Sequence, residues 1–356
     1  MVNKIIHALI LVLLAAACTP IKPQFYAADN TLFQYMGRID FSDSKTPRFW
    51  VAGAHVQAKF KGTTCVLNVN DEVKWGTTHN YLEVSIDGAE PRRIKLKVKE
   101  NVIDLSEGLA EGEHTITIIK ATEALQGYIE FVGLTCTKLL APTALPTRKI
   151  EFFGDSITSG MGSELTPIPC DSAEWYDQHT VYYGYAATTA RAIDAQYHLT
   201  SESGIGLIHN CCNKPYVMPR VYDKLNITDD SLTWNFNRYQ PDVVSICLGQ
   251  NDGIQDSTQF VSEYVAFIKT LRGHYPNAQF VCFSSPMANE KLRNALSKYL
   301  RAMVQYHHAQ GETKVDYYVF NRSFNNGCGG HPDKEDQRQI AQEVTSFIRT
   351  KMNWYD

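Results

Sequence analysis

The sequence predicts two folding units in series: an all-β sandwich of jelly-roll type, then an α/β domain built on a parallel sheet. Three observations predict them. The first stretch carries short alternating apolar runs broken by glycine-containing turns, and the second alternates compact apolar runs with helical apolar faces. A segment rich in proline and alanine separates the two. At 356 residues the chain is also longer than one ordinary core requires.

The sandwich is expected over residues 31–138. Apolar and polar residues alternate over 56–60, 65–69, 81–86, 94–98, 114–119 and 129–135, the pattern of strands buried on one face. Lys61-Gly62, Asp87-Gly88 and Glu111-Gly112 stand between them and read as turns. Residues 139–148 read as a linker, since Ala141, Pro142, Ala144 and Pro146 crowd into it. From 149 to 356 the compact runs are 150–153, 197–201, 243–248, 279–283 and 315–320. Between and after them, Val261, Tyr264, Val265, Ile268 and Leu271 share one helical face, as do Ile340, Val344, Phe347 and Ile348. Strands alternating with helices imply a parallel sheet covered on both sides.

Composition narrows the function. Hydrophobic residues make up 44% and charged residues 20%, which is globular, and a formal charge of −4 argues against nucleic acid as a partner. Residues 1–18 read as an export segment: Lys4 is followed by an apolar run and by Ala15, Ala16, Ala17 and Cys18. Small residues before a cysteine resemble a bacterial lipoprotein signal, although Leu14 stands four residues before Cys18 where the usual leucine stands three before. The expectation is an exported protein anchored by lipid on Cys18 to the cell envelope, in the outer membrane or periplasm, with no other membrane contact. Export permits disulfides among the remaining cysteines, with pairing open. Cys247 and Cys282 lie in apolar strands and read as core. His209, Cys211 and Cys212, or Cys328 with His331, do not match a paired zinc spacing, so no metal site is expected.

In open parallel sheets ligands sit beyond the carboxyl ends of the strands. Gly154-Asp155-Ser156-Ile157-Thr158 follows the first run and Ser203-Gly204-Ile205-Gly206 the second. Gly249-Gln250-Asn251-Asp252 follows the third, and Gly329-Gly330-His331-Pro332 the fifth. A hydroxyl, a glycine amide, a carboxamide and an imidazole therefore converge on one rim. Acyl transfer requires such a set: a nucleophile, a base, and donors where the oxyanion forms.

These four blocks resemble those of the SGNH, or GDSL, hydrolases. The resemblance implies a flavodoxin-like α/β domain with Ser156 as nucleophile and His331 as general base. Gly204, Asn251 and the backbone N–H of Ser156 would form the oxyanion hole. The first half adds Gly37-Arg38-Ile39-Asp40-Phe41, Ile86-Asp87-Gly88, Gly112-Glu113-His114-Thr115, and Gly127 ahead of Phe131. A small sandwich with these signposts before an SGNH domain is similar to carbohydrate esterase family 2. That family implies an acetyl xylan esterase-like deacetylase acting on acetylated xylan or glucomannan, through an acetyl-serine and with no cofactor. Most SGNH enzymes carry an aspartate three residues before the histidine, where this chain has Cys328. Family 2 members commonly lack that acid, which implies a Ser-His dyad oriented by a backbone carbonyl within 328–330. Asp333 is expected to begin the next helix instead.

Trp175 and Tyr176, in the loop after the nucleophile, are candidate sugar platforms, or else pack that loop onto the body. Trp75 and Tyr81 are further candidates in the sandwich, and Trp234 reads as core. Two other functions fit part of the pattern. One is a lipase or thioesterase on a non-carbohydrate ester, disfavoured because no long apolar insertion is present to hold an acyl tail. The other is a non-catalytic carbohydrate-binding protein, disfavoured because all four blocks are intact.

Overall fold

The computed structural model describes residues 22–228 and 231–355. Cys18 and the export segment lie outside the described residues.

Strands β1 (Gln24–Ala27), β2 (Gln34–Met36), β3 (Ile39–Asp40), β4 (Arg48–Phe49) and β5 (His55–Asp71) open the chain. β6 (Tyr81–Ile86), β7 (Arg92–Lys95), β8 (Glu100–Asp104), β9 (Glu113–Lys120) and β10 (Ile129–Leu140) follow. All pair antiparallel in the order β3-β4-β10-β5-β9-β6-β7, with β1 on β10 and both β2 and β8 on β5. β5 corrects one expectation. Lys61-Gly62 is not a turn but a break of register inside a single 17-residue strand. Val56, Ala58 and Phe60 point inward before it, and Cys65, Leu67 and Val69 after it. The inward parity therefore flips from even to odd, as an insertion in one strand of a pair demands. Gly62, at φ +103°, supplies the backbone conformation that the break needs. Both halves of β5 face the same core as Leu82, Val84, Ile116, Ile118 and Phe131.

The irregular connection spans residues 141–147, since β10 ends at Leu140 and β11 (Arg148–Gly154) begins at Arg148. β12 (Ala195–Ser201), β13 (Val243–Cys247), β14 (Gln279–Phe283) and β15 (Val315–Tyr318) complete a parallel sheet in the order β12-β11-β13-β14-β15. Counted from β11 this is 2-1-3-4-5, the flavodoxin-like order, whose switch point lies between β11 and β13. Helices Ser257–His274 and Glu290–Ala309 cover one face, and Tyr185–Ala192 and Lys334–Met352 the other. The free thiols of Cys247 and Cys282 and the ring of Trp234 are buried in these cores.

The two sheets are bonded together by buried polar groups. Arg38, from the glycine-led block near the start of the chain, donates to Glu151 on β11 at 2.7 Å, and both side chains are wholly buried. Tyr275 also donates to that carboxylate. Removing either partner would leave a charge uncompensated in the interior, which typically costs about 3–5 kcal/mol.

Candidate active site

β11 delivers the first block to the carboxyl rim of the sheet. Asp155 caps a one-turn helix, Ser156–Ser159, by accepting from the Ile157 amide at 3.0 Å. Ser156 is thereby held at the first helical position, and its Oγ lies 2.9 Å from Nε2 of His331. His331 follows a 3₁₀ turn, Cys328–Gly330, and its Nδ1 faces the carbonyl oxygen of Cys328 at 3.2 Å. Asp333 points elsewhere: it caps the helix Lys334–Met352 by accepting from the Asp336 amide at 2.8 Å.

Gly162 makes this arrangement possible. Its carbonyl accepts from the Cys328 amide at 2.9 Å, and a Cβ placed on it would stand 2.6 Å from the Cys328 carbonyl oxygen. At φ +69° the position is also one that glycine occupies without cost. A disulfide between Cys170 and Cys328 ties the loop after the serine to the same turn. The sequence permitted this bond but held no signal for the partner, because the two cysteines are 158 residues apart.

Gly204 follows β12 at φ +83°, and its N–H has no acceptor among the described residues. Asn251 follows β13, and its Nδ2 lies 2.8 Å from the Ile205 carbonyl and 3.3 Å from Asp155 Oδ2. It therefore joins the first, second and third blocks. Asp252, the last residue of the third block, accepts from the amides of Leu207, Ile208 and His209 at 3.0, 2.7 and 3.0 Å. Those bonds hold the chain just beyond Gly204. Cys211 and Cys212 are bonded to each other, so neither thiol is free to join His209 as a metal ligand.

Burial pushes the His331 imidazole below its usual range, and the Cys328 carbonyl opposes part of that shift. Burial also raises Asp155 to about 7, against the Ile157 amide, with Asp252 and Glu123 adding to the rise. The ring nearest the serine thus favours its neutral, proton-accepting form.

The loop after the serine divides the aromatic candidates. Trp175 is 43% exposed and stands over His179 at 5.0 Å between ring centroids. Tyr176 follows the second of its two readings: it is buried against Tyr81 and Ala121 and packs the loop onto the sandwich, not a sugar. Tyr81 is buried too, with its hydroxyl on Asp177 and the Arg93 guanidinium over its ring, and cannot meet a glycan. Trp75 is largely exposed on the sandwich, with the Lys74 ammonium over its ring. Side chains of β6 and β7 grip the loop: Lys95 pairs with Asp177 at 2.8 Å, Arg93 donates to the His179 carbonyl at 2.9 Å, and Glu83 accepts from the Tyr182 amide at 2.9 Å.

A serine and an imidazole at the switch-point rim of a 2-1-3-4-5 sheet define an ester hydrolase of GDSL type. Comparison with known proteins gives the family. The GDSL-like Lipase/Acylhydrolase family profile matches residues 152–339, and the Carbohydrate esterase 2 N-terminal profile matches 35–146. The chain belongs to carbohydrate esterase family 2, within the GDSL-like hydrolases. It is 32% identical to the cellulase/esterase CelE of Acetivibrio thermocellus over 92% of its own length, which is 40% of that protein. It is 28% identical to an acetylxylan esterase / glucomannan deacetylase of Cellvibrio japonicus, over 92% of this chain and 91% of that one. A family two carbohydrate esterase from Clostridium thermocellum, solved with cellohexaose, superposes with a TM-score of 0.83 at 30% identity, covering 91% of this chain and all of that one. A Cellvibrio japonicus family two esterase superposes at 0.85 with 26% identity, over 94% and 99% of the two chains.

Proposed function

We propose that this chain removes acetyl groups from a plant polysaccharide such as acetylated xylan or glucomannan, using a Ser156–His331 dyad. The observation that carries the reading is the chain Ser156 Oγ, His331 Nε2, His331 Nδ1, Cys328 carbonyl, with contacts of 2.9 and 3.2 Å. Accepting from Nδ1–H, the carbonyl selects the tautomer in which Nε2 is bare and faces the serine. Neutral His331 takes the Ser156 proton as Oγ attacks the acetyl carbon. The amides of Ser156 and Gly204 and the Asn251 side chain receive the oxyanion. Of Asn251's two contacts, the 3.3 Å one to Asp155 is the weaker, and an oxyanion would displace it first. His331 then protonates the departing sugar oxygen, and water, deprotonated by the same ring, hydrolyses the acetyl-serine. Trp175, the exposed ring of the loop, is the sugar platform in this reading.

Export with a lipid on Cys18 is the proposed setting, supported by the lipoprotein-like run before that residue. No helix among the described residues is long and apolar enough to cross a membrane. Palmitate labelling of the wild type but not of Cys18→Ser would support the anchor, and absence of label from both would remove it.

The test of substrate class is a panel of acetylated polysaccharides followed by NMR, which assigns the acetyl groups that disappear. Acetyl, butyryl and octanoyl esters run beside it discriminate against a lipase or thioesterase. The expected result is release of acetyl from xylan or glucomannan, with a steep loss of rate beyond acetyl. Faster turnover of octanoyl esters would move the reading to a lipase.

A further inference from the structure

We propose that Glu123, a carboxylate of the β-sandwich, is a positioning residue for the oxyanion hole of the α/β domain, acting through Ser203. The inference rests on the reading of Gly204 as an oxyanion donor. Glu123 stands between β9 and β10, at the cap of a 3₁₀ turn Ala124–Gln126, and is wholly buried. Its Oε2 accepts from the Ser203 amide at 2.6 Å, and its Oε1 accepts from the Ser203 hydroxyl and from His179 Nε2, the latter at 2.9 Å.

The backbone that carries this carboxylate is itself held in place. Lys120 Nζ donates to the carbonyls of Thr122 at 2.6 Å and Glu123 at 2.9 Å, and the Glu123 amide donates to Gln126 Oε1 at 3.1 Å. Burial pushes the Glu123 carboxyl upward, yet His179 and Ser203 together outweigh that and hold it below the usual carboxylate range. It is therefore an ionised acceptor, and charge-assisted bonds of this kind are the strong, directional ones.

What separates Glu123 from a simple interface pair is where its bonds end. Arg38 and Glu151 already join the two domains at the middle of β11, short of the rim where its strand ends at Gly154. Glu123 instead fixes both the backbone amide and the side chain of Ser203, the residue immediately before Gly204. With residue 203 held at two points, the peptide that carries the Gly204 N–H has its freedom to reorient reduced. That N–H has no acceptor among the described residues. A donor preset before charge develops is what oxyanion stabilisation requires, because reorientation during reaction would cost rate. The sandwich thus contributes to the acyl-transfer site without touching substrate.

The test uses the full chain and Glu123→Gln, which keeps the shape but turns an amide NH₂ toward a donor. A fluorophosphonate label taken to completion counts competent Ser156, so kcat is expressed per competent site. The expected result is a kcat per site lower by about 10–100-fold with KM within about twofold, since removing a whole donor costs about 10²–10³. A purely structural role would reduce the number of labelled sites and the melting temperature while leaving kcat per site unchanged. That outcome overturns the inference. Should Glu123→Gln fail to fold, Ser203→Ala decides. A several-fold loss of kcat per site at constant KM supports the inference, and a wild-type value overturns it. Asn251→Ala run alongside separates the two levels: if it loses kcat while Glu123→Gln does not, the oxyanion reading stands and only this inference fails. If neither loses kcat, the oxyanion reading has failed first.

Discussion

Replacing Gly162 by Ala perturbs the proposed dyad through its orienting carbonyl and changes no reacting group. The new Cβ would stand 2.6 Å from the Cys328 carbonyl oxygen and 3.2 Å from the His331 Cβ. An ordinary carbon–oxygen contact is about 3.3 Å, so that oxygen must retreat by roughly 0.7 Å. The Nδ1–carbonyl contact is already 3.2 Å, at the long end of a hydrogen bond, so it has little room to absorb a displacement of that size. Alanine at φ +69° adds strain of about 1–2 kcal/mol, a stability loss visible as a lower melting temperature. Misplacement of a reacting group by about 1 Å costs on the order of 10²-fold in rate. The expected outcome is therefore a folded protein with kcat/KM on an acetyl ester down by about 10²-fold. The assay is steady-state hydrolysis beside thermal unfolding. A folded Gly162→Ala variant within twofold of wild type would show that the Cys328 carbonyl does not set the ring.

Three further expectations follow from the same geometry. Asp333→Asn should keep nearly full activity and stability, because asparagine caps a helix about as well as aspartate; a loss near the ~10⁴ measured when a triad carboxylate is neutralised would show that an acid orients His331. Asn251→Ala should lower kcat by about 10²–10³ with little change in KM, and a change in KM alone would move Asn251 to substrate binding. Burial depresses the His331 pKa, so the neutral base persists as pH falls below the ordinary histidine value of about 6.5. The acid limb of kcat/KM should accordingly have its midpoint below that value. It should be read also in Asp155→Asn, since Asp155 titrates at about 7. A limb at or above neutrality that survives this substitution would contradict the assignment.

The parts of the site that were legible in the sequence are those set by local pattern. Each block follows an apolar run of period and length suited to a parallel strand, so the switch-point rule places Ser156, Gly204, Asn251 and His331 together without knowledge of any contact. The cap role of Asp333 was legible in the same way, from the helical face that follows it. What escaped is what depends on contacts between distant segments. Lys61-Gly62 has the composition of a turn, and only pairing with β10 and β9 shows that the strand continues through it. Tyr176 and Tyr81 look like sugar-binding aromatics until the loop is seen lying against β6 and β7. Glu123 carries no motif: its significance arises when residues 80 apart in the chain meet at Ser203. The Cys170–Cys328 bond was invisible for the same reason.

The central claim is that Ser156 carries the acetyl group between substrate and water. Rapid acid quench of the enzyme mixed with an acetylated xylo-oligosaccharide, followed by peptide mass spectrometry, tests it directly. The account predicts one added acetyl on the peptide containing Ser156, formed in the wild type and absent from Ser156→Ala, whose turnover is abolished while its melting curve is unchanged. Acetyl release by Ser156→Ala at a near-normal rate, or an acetyl adduct on a different residue, would contradict it.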